Sequence, residues 1–206
     1  MPFVMHPRVK KALRGGAALA AAAVFAAPGV AHACTQPATT QPFARFGDTA
    51  DYWLAPGGAF EGGATGWELH NSAVVAGNES FFVDGASDGS SLEIQPGGDA
   101  VSPAFCVDPT NTTLRLFAKH SAGLTGSLSV ELLYTTAMGK YRVRVGGVVS
   151  GSGSPWAPTP VLDLANALPA GQVVKGDGSV QVRFAASQDA GAWAIDDVYI
   201  DPYRFG

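Results

Sequence analysis

The sequence predicts an all-β protein, an antiparallel two-sheet β-sandwich (jelly roll) with at most one short helix. Three observations predict it. From Tyr52 onward, short apolar alternations of period two follow one another. The runs are rich in Val, Ile, Leu and aromatic residues, and clusters of Gly, Ser, Asp and Pro separate them. With 26 Gly and 14 Pro in 206 residues, few stretches are long enough for a helix.

The first element lies outside the fold. Met1 to Arg14 carries Arg8, Lys10, Lys11 and Arg14 without an acid, and an Ala-rich apolar run follows to Val30. Ala31-His32-Ala33 then places small residues where a signal peptidase reads. This is the pattern of a cleaved secretory signal peptide over residues 1–33, too short and too early for a membrane span. Export in a bacterial setting, to a secreted or extracellular location, is the expectation. Cys34 would become the first residue, a place also held by a lipidated Cys, but His32 fits that signal poorly.

Loss of the leader removes four basic side chains and no acidic one, taking the formal charge from −4 to −8. Such a balance argues against nucleic acid, which rewards clustered Lys and Arg. The remaining length suits one domain. No second apolar run is long enough to cross a membrane. Residues 34–50 read as an N-terminal segment and 51–206 as the sandwich. Cys34 and Cys106 are the two cysteines, and in an oxidising compartment they are expected to pair and tie that segment to the body.

The strands follow in order. Leu92 and Ile94 alternate with Ser91 and Glu93 before Pro96-Gly97-Gly98 ends the run. "TLRLFAK" (113–119) points Leu114, Leu116 and Ala118 inward, with Arg115 and Phe117 outward. "SLSVELLY" (127–134) sets Leu128, Val130, Leu132 and Tyr134 against Glu131 and Leu133. "YRVRV" (141–145) sets Tyr141, Val143 and Val145 against Arg142 and Arg144. "SVQVRFA" (179–185) buries Val180, Val182 and Phe184 and exposes Gln181 and Arg183. Gly123, Gly126, Gly139, Gly176 and Gly178 mark turns between them. "LDLANAL" (162–168), stopped by Pro169 and Gly171, is the one helix candidate.

In "AWAIDDVYIDP" (192–202), Trp193 and Ile195 share a face, and so do Val198 and Ile200, yet Ile195 and Val198 are three apart. Both pairs reach the core only if the strand gains a residue near Asp196-Asp197, which is a β-bulge.

Gly85-Ala86-Ser87-Asp88-Gly89 fits the G-x-S-x-G pattern of a hydrolase nucleophile elbow. The elbow needs a helix directly after the serine, and here a strand pattern follows. Ser87 is therefore not read as a nucleophile, and His70 and His120 are read as surface residues at strand ends. Glu61, Glu68, Glu93, Glu131 and the Asp196-Asp197 pair offer carboxylates for a glycosidase, but no spacing pairs them across a cleft. The chain is expected not to be an enzyme.

"PGGAFEGGATGW" (56–67), with "AWAIDDVYIDP" at the far end, resembles the opening and closing signatures of galactose-binding-domain-like jelly rolls, a group with many carbohydrate-binding modules. The chain is also similar to small secreted bacterial proteins of this type without an assigned function. The resemblance implies adjacent first and last strands and a structural Ca2+ where they meet. Carried onto this sequence, it implies Glu61, Asp196 and the 84–91 loop as ligands, with Asp88 as the loop's side chain.

A glycan-binding face pairs aromatic rings with planar polar groups. The outward set Arg115, Glu131, Arg142, Arg144 and Arg183 fits the second need, for a polysaccharide or glycan, with an acidic one as the candidate. Trp156, in the Gly/Ser/Pro-rich "GSGSPWAP", is the candidate stacking platform, with Tyr141 and Phe81-Phe82 behind it; Trp53, Trp67 and Trp193 read as core. Cross-strand ion pairs on a solvated face explain the same charges. The leading expectation is a secreted, non-catalytic, carbohydrate-binding-like module. An exported structural or adhesive domain that binds a protein or cell-wall component comes second, and a glycan-active enzyme third.

Overall fold

The computed structural model describes residues 37–106, 112–121, 125–150, 153–167, 179–188 and 191–201. The expected leader and Cys34 lie outside these residues, and so does the expected Cys34 pairing. Cys106, the one cysteine among the described residues, is not free.

Eleven antiparallel strands are described. They are β1 (Trp53–Leu54), β2 (Glu68–Ala76), β3 (Ser90–Val101), β4 (Phe105–Cys106), β5 (Thr113–His120), β6 (Gly126–Thr136), β7 (Gly139–Ser150), β8 (Ala157–Pro158), β9 (Leu162–Asp163), β10 (Ser179–Ala186) and β11 (Trp193–Asp201). The fold is all-β. The candidate helix at 162–168 resolves into β9 and a 3-10 turn at Ala165–Ala167, because Pro and Gly beyond it leave no room for propagation.

The strands form one curled, hydrogen-bonded sheet in the order β7-β6-β10-β3-β11-β5-β8, folded into two layers. The bend lies in the β2–β3 hairpin. Leu92 to Ile94 of β3 pair with Ile195 to Trp193 of β11, whereas Asp99 to Val101 pair with Ala185 to Arg183 of β10. Between them the register with β2 shifts from His70 to Ser72, and Asn71 takes a left-handed φ of 50°. Gly98 sits at this corner, where an added Cβ would lie 2.5 Å from the Asn71 carbonyl oxygen and 2.8 Å from that of His70. Only a residue without a side chain lets the two backbones approach this closely.

The core between the layers is built from the alternations. Leu92, Ile94, Leu114, Leu116, Leu128, Val130, Leu132, Val180, Val182, Phe184, Trp193, Ile195, Val198 and Ile200 are all buried. Trp67 stacks on Phe184 at 6.1 Å, so the "GATGW" stretch closes one end.

A second aromatic cluster corrects the expected exposure of Phe117. Residues 40–52 strap across the outer face of the β5–β11 layer, held by a Thr40–Tyr52 bridge. Phe117 is buried there with Phe43, Tyr52 and Tyr199. Phe43 stacks on Phe117 at 5.3 Å and meets Tyr52 edge-on at 5.0 Å. β5 is thus buried on both faces, and period two could not say what would cover its second one. His120 is likewise buried, its ring 4.7 Å from that of Trp193, rather than facing solvent. Among the described residues no helix is long and apolar enough to cross a membrane.

Candidate functional site

The loop that holds Ser87 runs directly into β3 at Ser90, so the strand-to-helix corner of a nucleophile elbow is absent. The same loop has a different neighbour. β11 shifts register against β5 between Asp196 and Tyr199, where Asp197 takes a φ of 50°. This is the bulge that the Ile195–Val198 spacing requires. By turning Asp197 out of the alternation, it aims that carboxylate at the 79–88 loop.

Asp84, Asp88 and Asp197 each bring an oxygen to within 4.8 Å of the others. Two ligands on opposite sides of a calcium ion lie about this far apart, given Ca–O distances of about 2.3–2.6 Å. Asp197 is 1% exposed, and among the described residues neither of its carboxylate oxygens has a hydrogen-bond partner; Asp88 Oδ2 is also buried without one. Burial pushes the Asp197 carboxyl up to about 9, with like-charge repulsion from Asp196, Asp84, Asp88 and Glu79 adding to it. Burial pushes Asp196 up to about 8, against the pull of two backbone N–H groups. Asp88 is raised by burial, then by Asp84 and Glu61. Among the described residues no Lys or Arg pairs with any of these acids. The Asp cluster could therefore hold a metal such as Ca2+: oxygen donors, unsatisfied and buried, are what a hard cation needs.

The residues that the resemblance implied border this cluster. Asp88 is in it. Asp196 accepts from the backbone N–H of Glu79 and of Asp197, each at 2.9 Å. Glu61 Oε1 accepts from Gly89 and Ser90 N–H at 2.9 and 2.7 Å and so pins the loop. Glu79 is fully buried and accepts from the N–H groups of Phe81 and Val83, shaping the turn before Asp84. Sequence reasoning reached the Asp196-Asp197 bulge and the 84–91 loop but took Asp196 and Asp88 as their side chains; the structure adds Asp84 and puts Asp197, not Asp196, in the cluster. For Asp197 the signal was there, since a bulge one residue long turns one of two neighbouring aspartates out of phase.

The expected polar face divides between the two layers. Arg115 lies on the strapped one, where its guanidinium binds Asp48 at 2.6 Å and the Thr159 carbonyl at 2.8 Å and lies 4.6 Å from the Phe43 ring centroid. It lines a cleft of about 700 Å3 with Asp48, Tyr52, Thr113 and Asp201. Trp156 is half-buried beside the second aromatic cluster, with the Lys119 ammonium 5.1 Å from its ring.

Among the described residues no segment covers the outer face of the other layer. There β2, β3, β10, β6 and β7 carry a continuous polar row. His70 Nδ1 lies 3.0 Å from Asp99, Arg183 bridges Asp99 at 2.8 Å and Glu131 at 2.7 Å, and Arg142 lies 3.6 Å from Glu131. Arg144 is opposite Glu131 on β7. Burial would raise Asp99, but the hydrogen bonds from Arg183 and His70 hold it below the ordinary carboxyl value. Beside the row lies a groove of about 440 Å3, lined by Glu68, Leu133, Lys140, Arg142 and Gln181 among others. Tyr141 reaches the rim of this groove, but its ring stacks on Tyr134 at 5.5 Å over the core.

No protein-family model and no curated protein matches the chain. Solved structures do. The xylan-binding domain of carbohydrate-binding module family 22 aligns at 14% identity and a TM-score of 0.50, over 77% of this chain and 99% of that domain. The fold is that of a carbohydrate-binding module. The tandem family 22 modules of Paenibacillus barcinonensis Xyn10C align at 13% identity and a TM-score of 0.52, over 76% of this chain and 47% of that one. The enzymatically active domain of bacteriophage CBA120 tailspike protein 4 aligns at 14% identity and a TM-score of 0.48 over 71% of this chain, which spans only 21% of that protein's length. At these identities the likeness extends to the jelly-roll architecture and no further.

Proposed function

We propose that this chain is an exported, non-catalytic module that binds glycans on the outer face of the β2–β3–β10–β6–β7 layer. The observation that carries the reading is the contrast between the two outer faces. One is covered by the 40–52 strap and its aromatic cluster. Among the described residues no segment covers the other, which carries guanidinium and carboxylate groups in a row across four strands beside a groove. Planar groups held by neighbouring strands suit the paired hydroxyls of a sugar, because each offers two hydrogen-bonding atoms in fixed geometry. A Ca2+ held by Asp84, Asp88 and Asp197 serves the fold in this reading. It ties the β11 bulge to the loop before β3 and takes no part in chemistry. Residues 1–33 act as the export signal, which N-terminal sequencing of the exported protein tests by its first residue, Cys34.

Affinity electrophoresis through gels containing a panel of neutral and acidic polysaccharides tests the binding. Retardation by at least one, reduced in Gln181→Ala and Glu131→Gln but unchanged in Trp156→Ala, supports the reading. A folded protein retarded by none overturns it.

A further inference from the structure

Resting on that reading, we infer that the glycan is acidic, a polymer bearing carboxylates, and that it lies along the outer face of β7. Three alternate residues of β7, Lys140, Arg142 and Arg144, point to that face and are exposed, while the intervening Tyr141 and Val143, and Val145 after them, pack on the core. Strand geometry spaces the three by about 6.6–6.8 Å per step, which makes a rail of positive charge along the strand.

The rail is not balanced from within. Glu131 is the neighbouring acid on β6, but it is held by Arg183 at 2.7 Å and reaches Arg142 only at 3.6 Å. Asp99 is engaged by Arg183 and His70. Among the described residues neither Lys140 nor Arg144 has a carboxylate within ion-pair distance; Arg144 Nε makes only a long 3.4 Å bond to the Gly146 carbonyl. In a chain with 17 acidic and 13 basic side chains, a row of three cations that share one already engaged carboxylate, on one face of one strand, stands against the prevailing charge.

The groove beside the rail is asymmetric. Lys140 and Arg142 form its β7 side, Leu133 and Gln181 lie across from them, and Glu68 on β2 closes the far side. An anionic chain is thereby drawn toward β7 and repelled from β2, while the neutral side of each sugar faces the apolar and amide groups. A neutral glycan would have no use for such a gradient. Cations on an edge strand also discourage edge-to-edge pairing, so β7, which ends the sheet order, has a competing reason to carry them. Only the acidic-glycan reading ties them to a ligand.

The test compares polygalacturonate with its fully methyl-esterified form, which keeps the backbone and removes the charge, and with neutral arabinoxylan. The purified chain, its Arg142→Gln/Arg144→Gln variant and a Lys119→Gln control on the opposite layer are titrated by calorimetry, each checked for an unchanged melting temperature. The expected result is binding of polygalacturonate and not of the ester. It should weaken about tenfold or more in the double variant, stay unchanged in the control, and fall steeply as salt is raised. Equal binding of the ester, or full binding by the double variant, overturns the inference. Binding of arabinoxylan alone overturns it and leaves the carbohydrate reading standing. Binding of none of the three overturns it, and if the wider panel is negative too, the carbohydrate reading fails with it.

Discussion

Withdrawing calcium should lower the thermal stability of this protein by an amount that can be worked out from the acidic cluster. Asp197 is buried with two carboxylate oxygens that no donor among the described residues satisfies, and Asp84 and Asp88 meet it within 4.8 Å. A buried acceptor without a partner costs about 1–3 kcal/mol, more when it is charged, and a bound cation removes that cost. A dissociation constant of about 100 µM, common for extracellular calcium modules, gives about 2.7 kcal/mol of stabilisation at about 10 mM calcium. For a domain of this size each kcal/mol moves the melting temperature by about 2–4 °C, so the expected rise is about 5–11 °C. Differential scanning calorimetry in excess calcium and then in EGTA measures it. Asp197→Asn should abolish the rise, yet in EGTA it should melt at or above the wild-type temperature, because a neutral amide avoids the cost of holding a buried carboxyl protonated well above its ordinary range. A wild-type rise below about 1 °C, or a full rise in Asp197→Asn, would refute the reasoning.

Three further outcomes follow from the fold. Arg183→Gln breaks two charge-assisted hydrogen bonds that are about one-fifth exposed, and should cost about 1–2 kcal/mol at neutral pH after solvent screening is allowed for. Because Asp99 is held below its ordinary value of 3.8, its share of stability is present above that pH and is lost as pH falls through the folded value. Urea denaturation at a series of pH values should therefore show wild type and Arg183→Gln converging on the acid side; a constant gap would contradict the assignment. Gly98→Ala forces a Cβ against two carbonyl oxygens at the β2–β3 corner and should destabilise by about 1–3 kcal/mol, a loss that a neutral denaturation midpoint would disprove. Phe43→Ala should cost about 3–5 kcal/mol and expose the Phe117 ring, read by urea denaturation and near-ultraviolet dichroism; a loss below about 1 kcal/mol would mean that the strap is not a packed layer.

Much of this architecture is written locally. A strand with one buried face must alternate, so Leu114–Leu116, Val130–Leu132 and Val180–Val182 declared their inward faces from sequence alone. A phase slip between Ile195 and Val198 has one economical solution in a strand, and the bulge at Asp197 is that solution. The alternations also named Glu131, Arg142, Arg144, Gln181 and Arg183 as outward residues, and they do share one face.

What sequence could not determine is whatever depends on a partner distant along the chain. Phe117 alternates like a surface residue, and only the strap that brings Phe43 across β5 makes it core. Arg115 has the same pattern as Arg183, but Asp48 and Phe43 take up its charge and its face. Asp84 and Asp197 are more than a hundred residues apart, and no local pattern reports that a bulge in one strand faces a loop before another. Periodicity states which side of a strand is apolar. Only tertiary packing decides what lies opposite, because burial and charge neutralisation are set by the nearest atoms in space and not by the nearest residues along the chain.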